Sequence, residues 1–302
     1  MQREQELAVV RRAYSKQILA QAQVDNSRLE QAFAEVHRED FLGPGPWVIP
    51  RWFGEYVPTP SADPVYLYID SVVQVIAERH LNNGQPSGHA IWITRASIKA
   101  GEHVVHIGTG TGYYTAIMAC LVGPSGKVTG IELDASLAAR AKENLSSYPN
   151  VLIVNGDGTS VPFDAADVIY INAGVTRPVV SWLERLTDRG RLILPMTANM
   201  ADDPPNATSG AVFRIERRTS QFSVQCISPV RIIPCDGARD ETSEAALAEA
   251  FEKGDCKRVT RLYRNNDDVP DDRCGFVARD GASPTIDGVD GRQNRLYLCC
   301  SA

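Results

Sequence analysis

The first 42 residues carry apolar side chains at helical spacing: Leu7, Val10, Ala13, Tyr14, Ile18 and Leu19 follow the 3.6-residue period of one helix face. Asp25-Asn26-Ser27 offers an N-cap to a second helix, LEQAFAEV. Residues 43–64 hold six prolines and three glycines, which predicts an irregular segment. The run VYLYIDSVVQVIA at 65–77 reads as strand-like. Residues 88–98 read as a helix that leads into the turn Lys99–Glu102. The period then changes. VVHIG, VTGIELD, VLIVNGD and DVIYINAG are short β-branched runs, and YYTAIMACLVG and ASLAARAKENLSSY stand between them as helices. VVSWLERL and RLILPM continue the alternation, which predicts a doubly wound parallel sheet. GAVFRIERR and FSVQCISPVRIIP break it and predict an antiparallel hairpin at the sheet's end. The last 60 residues read as a helix (TSEAALAEAFEKG), an Asp/Asn/Pro-rich loop and a short strand-rich tail ending in LYLCC. The expected organisation is a helical and irregular cap (1–85), an α/β core (86–236) and an α+β extension (237–302). No internal repeat is present.

Composition narrows the function classes. The chain has 302 residues, 43% of them hydrophobic and 23% charged, which is ample for a core without metal or disulfide staples. A net charge of −6 argues against a nucleic-acid partner, which prefers a basic face. The basic residues between Arg214 and Arg218 read as the solvated face of the hairpin. No apolar run reaches the length of a membrane span, and the N-terminus lacks the apolar region of a secretory signal. Seven cysteines stand without metal-ligand spacing. Reduced thiols, a cytoplasmic location and no metal are therefore expected. The oligomeric state is left open.

The chemistry centres on His106-Ile-Gly108-Thr109-Gly110-Thr-Gly112. These glycines follow a strand and open a helix. Glycine permits the tight turn and a close approach of ligand to backbone, and the helix N-terminus supplies free N–H groups and a partial positive field. A dinucleotide turn reads G-x-G-x-x-G; here the third glycine comes one residue early. Glu132 ends the next strand, where a carboxylate can accept both hydroxyls of a ribose. Asn155-Gly-Asp157-Gly158 ends the third strand, where Asp157 can accept from an adenine amino group. Ligands of open α/β sheets sit at the carboxyl ends of the strands, where all three features lie. S-adenosylmethionine (SAM) is favoured over NAD, with S-adenosylhomocysteine (SAH) as the product.

HIGTGTGYYTA, the IELD strand end, NGDGT, GRLILPM and SPVRIIP, in that order, resemble the protein-L-isoaspartate O-methyltransferases. VHREDF resembles that family's V-x-R-E-x-F segment. The resemblance runs from about residue 10 to 236. It implies a seven-stranded, Rossmann-like SAM-methyltransferase sheet, a helical cap and carboxyl O-methylation of a peptide or protein. By position it sets Gly108 against the methionine part of SAM, Glu132 on the ribose and Asp157-Gly158 on the adenine. His106, Thr109, Gly110, Gly112, Leu133 and Asn172 complete the expected cofactor set.

One departure stands out. The family carries a Ser in the loop over the methyl group, and its position is Gly84 here, in Asn82-Asn83-Gly84-Gln85-Pro86-Ser87-Gly88-His89. The hydroxyl expected beside the acceptor carboxylate is missing. Ser87 is a candidate substitute, with capping of the helix that starts there as its plainer role. His89 falls where some members place a cofactor-contacting His. Gly84, Ser87 and His89 are thus the candidate catalytic positions. Gln85-Pro86-Ser87, together with Tyr68-Ile-Asp70 and Gln74, also resembles a second group of methyltransferase-domain proteins that carry a C-terminal extension. A carboxylate acceptor is ionised at pH 7 and needs no base, so alignment supplies most of the rate. An alcohol or phenol acceptor would need one, with His80 and His89 as candidates. Transfer to a small metabolite or modified peptide, and SAM binding without catalysis, remain as alternatives.

Overall fold

The computed structural model describes residues 2–51, 55–253, 255–264, 276–278 and 296–300. The chain divides into two compact units, 1–161 and 162–302.

The first unit opens with α1 (Gln2–Ala22) and α2 (Ser27–Glu35). Asn26 caps α2 as its sequence position suggests, accepting from the Leu29 amide at 3.1 Å. The buried face of α1 differs from the predicted stripe. It runs through Leu7, Arg11, Tyr14, Ser15, Ile18, Leu19 and Ala22, while Ala13 is exposed. Two polar side chains lie on this face, so apolar periodicity alone places it imperfectly.

Residues 43–64 are largely irregular, as expected, apart from a short antiparallel ribbon of β1 (Val48–Pro50) and β2 (Tyr56–Pro58). The strand expected at 65–77 is mostly absent. Asp63 caps a single 3-10 turn over Pro64–Leu67 by accepting from the Val65 amide at 3.0 Å. Strand geometry returns at β3 (Gln74–Ile76), paired with β4 (Leu81–Asn82). Proline at the first position of the turn presets a helical φ, and the apolar residues serve a separate cluster. Leu67 and Val73 pack with Leu42 and Trp47 there.

Next come α3 (Pro86–Ala96), β5 (His103–Ile107), α4 (Tyr113–Val122), β6 (Lys127–Glu132), α5 (Ala135–Asn144) and β7 (Val151–Asn155). The three strands are parallel, in the order β5-β6-β7. All of β5 and nearly all of α4 are buried, which is why both read as continuous apolar runs.

In the second unit β8 (Ala166–Ile171) is followed by α6 (Val180–Arg185) and β9 (Leu186–Ala198), and β8 and β9 are parallel. β10 (Thr208–Arg218) and β11 (Gln221–Ile232) form the expected hairpin, antiparallel to each other, with β10 also antiparallel to β9. Each of the seven expected core strands is therefore present, as β5 to β11. The extension supplies α7 (Glu241–Glu252) and three more strands, β12 (Val259–Arg264), β13 (Phe276–Ala278) and β14 (Leu296–Cys300). These add to the sheet beyond β11 in the order β12-β14-β13. Most of the Asp/Asn/Pro-rich loop lies outside the described residues.

Candidate active site

The turn after β5 is built from backbone. Gly108, Gly110 and Gly112 all have positive φ. The Gly108 amide donates to the Ile131 carbonyl at 2.9 Å, and the Thr109 hydroxyl bonds the His106 and Ile131 carbonyls at 3.2 and 3.4 Å. The turn is thereby stitched across the ends of β5 and β6. At Gly110 an added Cβ would meet nothing within 4 Å, so the turn presents an open face there. Gly158 differs. A Cβ there would come within 2.3 Å of Ile107 Cγ2, so this glycine lets the loop after β7 pack onto the end of β5.

Glu132 ends β6, mostly buried. Its Oε2 accepts from the Gly110 amide at 2.7 Å and its Oε1 from the Asp134 amide at 3.0 Å. Burial raises its pKa, and those two amides oppose the rise. Each oxygen keeps a lone pair for a further donor. Leu133, next in line, is an exposed apolar side chain at 49%. Asn155 donates to the carbonyls of Glu132 and Leu133 at 2.9 and 3.0 Å, fixing this strand end. Asp157 accepts from the amide and hydroxyl of Thr159, both at 2.8 Å. Asn172 follows β8 in the second unit.

His106 has a different place. Its ring is wholly buried and its Nδ1 shares a proton with the Thr115 hydroxyl at 2.8 Å. Burial pushes its pKa down to about 3. The ring therefore supports the turn from the core side as neutral imidazole and has no exposed surface for a ligand.

The loop before α3 is braced by side chains. Gly84 has φ +79°, and a Cβ there would stand 2.3 Å from His89 Nε2. The imidazole of His89 thus fills the space a side chain at position 84 would need. That ring stacks on Tyr114 (centroids 3.5 Å apart, planes 10° apart), and the Tyr114 hydroxyl donates to the Gly84 carbonyl at 3.0 Å. Burial, with His106 and Arg38 adding to it, holds the His89 pKa well below the usual value. His89 is 1% exposed. A fully buried imidazole whose pKa is held this low is a weak base, poorly suited to general-base work. His80 is exposed, on a left-handed turn.

Ser87 does not cap α3. The cap position is Gln85, whose side chain does not cap the helix, and Asp70 supplies the acceptor. Asp70 takes the Ser87 amide at 2.9 Å and the Gln85 side-chain amide at 3.1 Å. A carboxylate reaching in from a neighbouring loop suits the positive end of the helix better than a hydroxyl within its first turn.

Behind this loop lies Arg38, fully buried. Its guanidinium donates to the carbonyls of Leu67 (2.5 Å), Ile69 (3.0 Å) and Ser71 (2.6 Å), and reaches Asn83 Oδ1 at 3.5 Å. Arg38 therefore shapes the segment that carries Asp70. Sequence reasoning assigned no role to Arg38, Asp70 or Tyr114. VHREDF and Tyr68-Ile-Asp70 were visible as motifs, but their partners lie tens of residues away. Among the described residues no cluster of three or more His, Cys, Asp or Glu is poised to hold a metal, and no helix is long and apolar enough to cross a membrane.

Comparison with known proteins bears on this site. The family model described as protein-L-isoaspartate(D-aspartate) O-methyltransferase matches residues 48–238. A protein-L-isoaspartate O-methyltransferase of Thermotoga maritima is 31% identical over 186 residues, 60% of this chain and 54% of that protein. One from Methanococcus aeolicus is 32% identical over 192 residues, 61% of this chain and 81% of that protein. The match thus spans little more than half the length of the Thermotoga protein. A solved protein-L-isoaspartate O-methyltransferase matches 96% of this chain and 88% of its own, with TM-score 0.62 and 24% identity. A putative one from Plasmodium falciparum, in complex with S-adenosyl-L-homocysteine, matches 75% of this chain and 98% of its own at TM-score 0.57 and 16% identity.

Proposed function

The chain belongs to the protein-L-isoaspartate O-methyltransferase family, and from that premise we propose that it moves a methyl group from SAM to a carboxylate of a peptide or protein, an isoaspartyl side chain first among the candidates. The observation that carries this reading is the extent of the family match. Residues 48–238 take in the glycine turn, the Glu132 and Asp157 strand ends and the loop at Gly84 together.

The residues present fit the cofactor. The open face at Gly110 and the N-terminus of α4 suit the amino-acid end. Glu132, oriented by two amides, would accept the ribose hydroxyls. Asp157 would take the adenine amino group beside Leu133. When bound, SAM supplies a methyl group on a positively charged sulfur. The chain's own part is alignment and exclusion of water. A carboxylate acceptor arrives ionised, which agrees with a loop whose buried His89 is neutral and braced. The loop would place the acceptor through backbone held by Asp70, Asn82 and Tyr114.

A second reading, transfer to a small metabolite or modified peptide, draws support from the missing hydroxyl at Gly84. The test uses SAM labelled in the methyl group, with an isoaspartyl peptide and the same peptide carrying normal aspartate. Base-labile methyl ester on the isoaspartyl peptide alone is the expected result. SAH bound at the protein with no ester on either peptide would reject the isoaspartyl assignment.

A further inference from the structure

Tyr114 belongs to two features at once. It is the second residue of α4, the helix that opens from Gly112. Its hydroxyl donates to the Gly84 carbonyl at 3.0 Å, and its ring lies face to face on His89, 3.5 Å away. Tyr113 packs edge-on against Tyr114 at 5.1 Å and against Phe41 at 5.7 Å, so the start of α4 is wedged among rings. Tyr114 itself is 3% exposed, and burial raises its pKa well above the usual value, which keeps the hydroxyl a donor. An aromatic side chain has two rotatable bonds, and here both ends are fixed.

The loop at Gly84 has other anchors. Asn82 Oδ1 accepts the Gly84 amide at 2.9 Å, Asp70 accepts the Ser87 amide, and Arg38 reaches Asn83. These hold the loop to the cap and to itself. Tyr114 adds a bond that starts on the cofactor helix. The first turn of that helix carries the amides that its own hydrogen-bond ladder leaves unsatisfied. A ligand that engages them fixes the position of Tyr114, and with it the Gly84 carbonyl and the His89 ring.

We propose that Tyr114 is a positioning residue that couples occupancy of the cofactor turn to order in the acceptor loop. The inference rests on the reading of the glycine turn as the cofactor site; it does not depend on which acceptor is used. Cofactor binding orders residues 82–88 through the Tyr114–Gly84 bond, so the acceptor meets a finished loop only once the cofactor is in place. Such coupling is reciprocal: an acceptor held by the loop tightens the cofactor by the same factor.

Hydrogen exchange on the full chain, with and without SAH, tests this. In the wild type, SAH is expected to slow amide exchange in segments covering 82–88 and 108–112. Tyr114→Phe keeps the ring stack and removes the hydroxyl. In that variant SAH should still protect 108–112 as in the wild type, while its protection of 82–88 falls by about fivefold, the worth of one hydrogen bond. Equal SAH-induced protection of 82–88 in both proteins would overturn the inference. So would its absence in the wild type, or loss at both segments in the variant. No protection at 108–112 in the wild type would overturn the cofactor site, and this inference with it. No acceptor is present in the measurement, so failure of carboxyl methylation would show separately, as absence of ester.

Discussion

The glycine turn after β5 and the loop at Gly84 are built in opposite ways. At the turn, backbone does the positioning. Three glycines adopt positive φ, amides hold both oxygens of Glu132, and the loop after β7 closes on Ile107. At the Gly84 loop, side chains do it. Arg38 grips three carbonyls, Asp70 caps α3, and His89 and Tyr114 fill and pin the space at Gly84. A site made of backbone survives wide change in sequence, because glycine spacing and a strand-end carboxylate are enough. A site made of braced side chains changes as a set: a Gly at 84 goes with an imidazole at 89.

Removing the brace should have the largest effect. Arg38→Met takes the donor from the buried Leu67 carbonyl and from the part-buried Ser71 and Ile69 carbonyls, the last of which keeps the Ser71 amide, and is expected to cost roughly 3 kcal/mol of stability. Urea unfolding measures it. A loss under about 1 kcal/mol would show that the loop does not depend on Arg38.

Acid strikes both regions at once. Burial depresses the folded-state pKa of His106, under the turn, to about 3, and that of His89, under the loop, in the same direction. The unfolded chain, with histidines near ~6.5, therefore binds the extra protons. This contribution is neutral above about pH 6.5 and stability falls as the pH drops below it. At pH 4.5 His106 alone should cost roughly 2–3 kcal/mol relative to pH 7. The difference in urea midpoint between the two pH values should shrink in His106→Gln; an unchanged difference would contradict the assignment.

The smallest of these effects sharpens the contrast from the cofactor side. Glu132→Gln keeps the shape and loses the charge-assisted bonds. SAH should bind about tenfold more weakly by calorimetry, while the Tyr114–Gly84 contact and the folded stability of the loop stay as they are.

The same contrast governs what the sequence reveals. The parallel strands were legible as short β-branched runs, most continuous in β5 and β8 where burial is nearly complete, the hairpin as two longer runs joined by a short turn, and Gly108–Gly112, Glu132 and Asp157 because their spacing is local. The segment 65–77 was not. Its apolar residues serve the cluster around Trp47, and Asp63-Pro64 starts a turn there, so period gives no guide. Ser87 looked like a cap because capping is usually local; here the carboxylate comes from Asp70, 17 residues away. His106 belongs to the turn in sequence and to the core in space. Arg38, Asp70 and Tyr114 gain meaning only when residues 38, 67–71, 83–87 and 114 are brought together.

The measurement that tests the central claim most directly is Gly84→Ser, compared with the wild type for SAH affinity and for methyl transfer to an isoaspartyl peptide. The φ of +79° and His89 Nε2 at 2.3 Å from an added Cβ mean that a side chain at 84 cannot enter the loop without displacing His89. SAH affinity should fall by no more than about fivefold, the worth of the one Tyr114 bond that links the loop to the helix after the turn, and transfer should fall by about tenfold or more. Transfer that rises in Gly84→Ser would contradict the account, because it would show a loop that merely lacks the hydroxyl rather than one rebuilt around its absence.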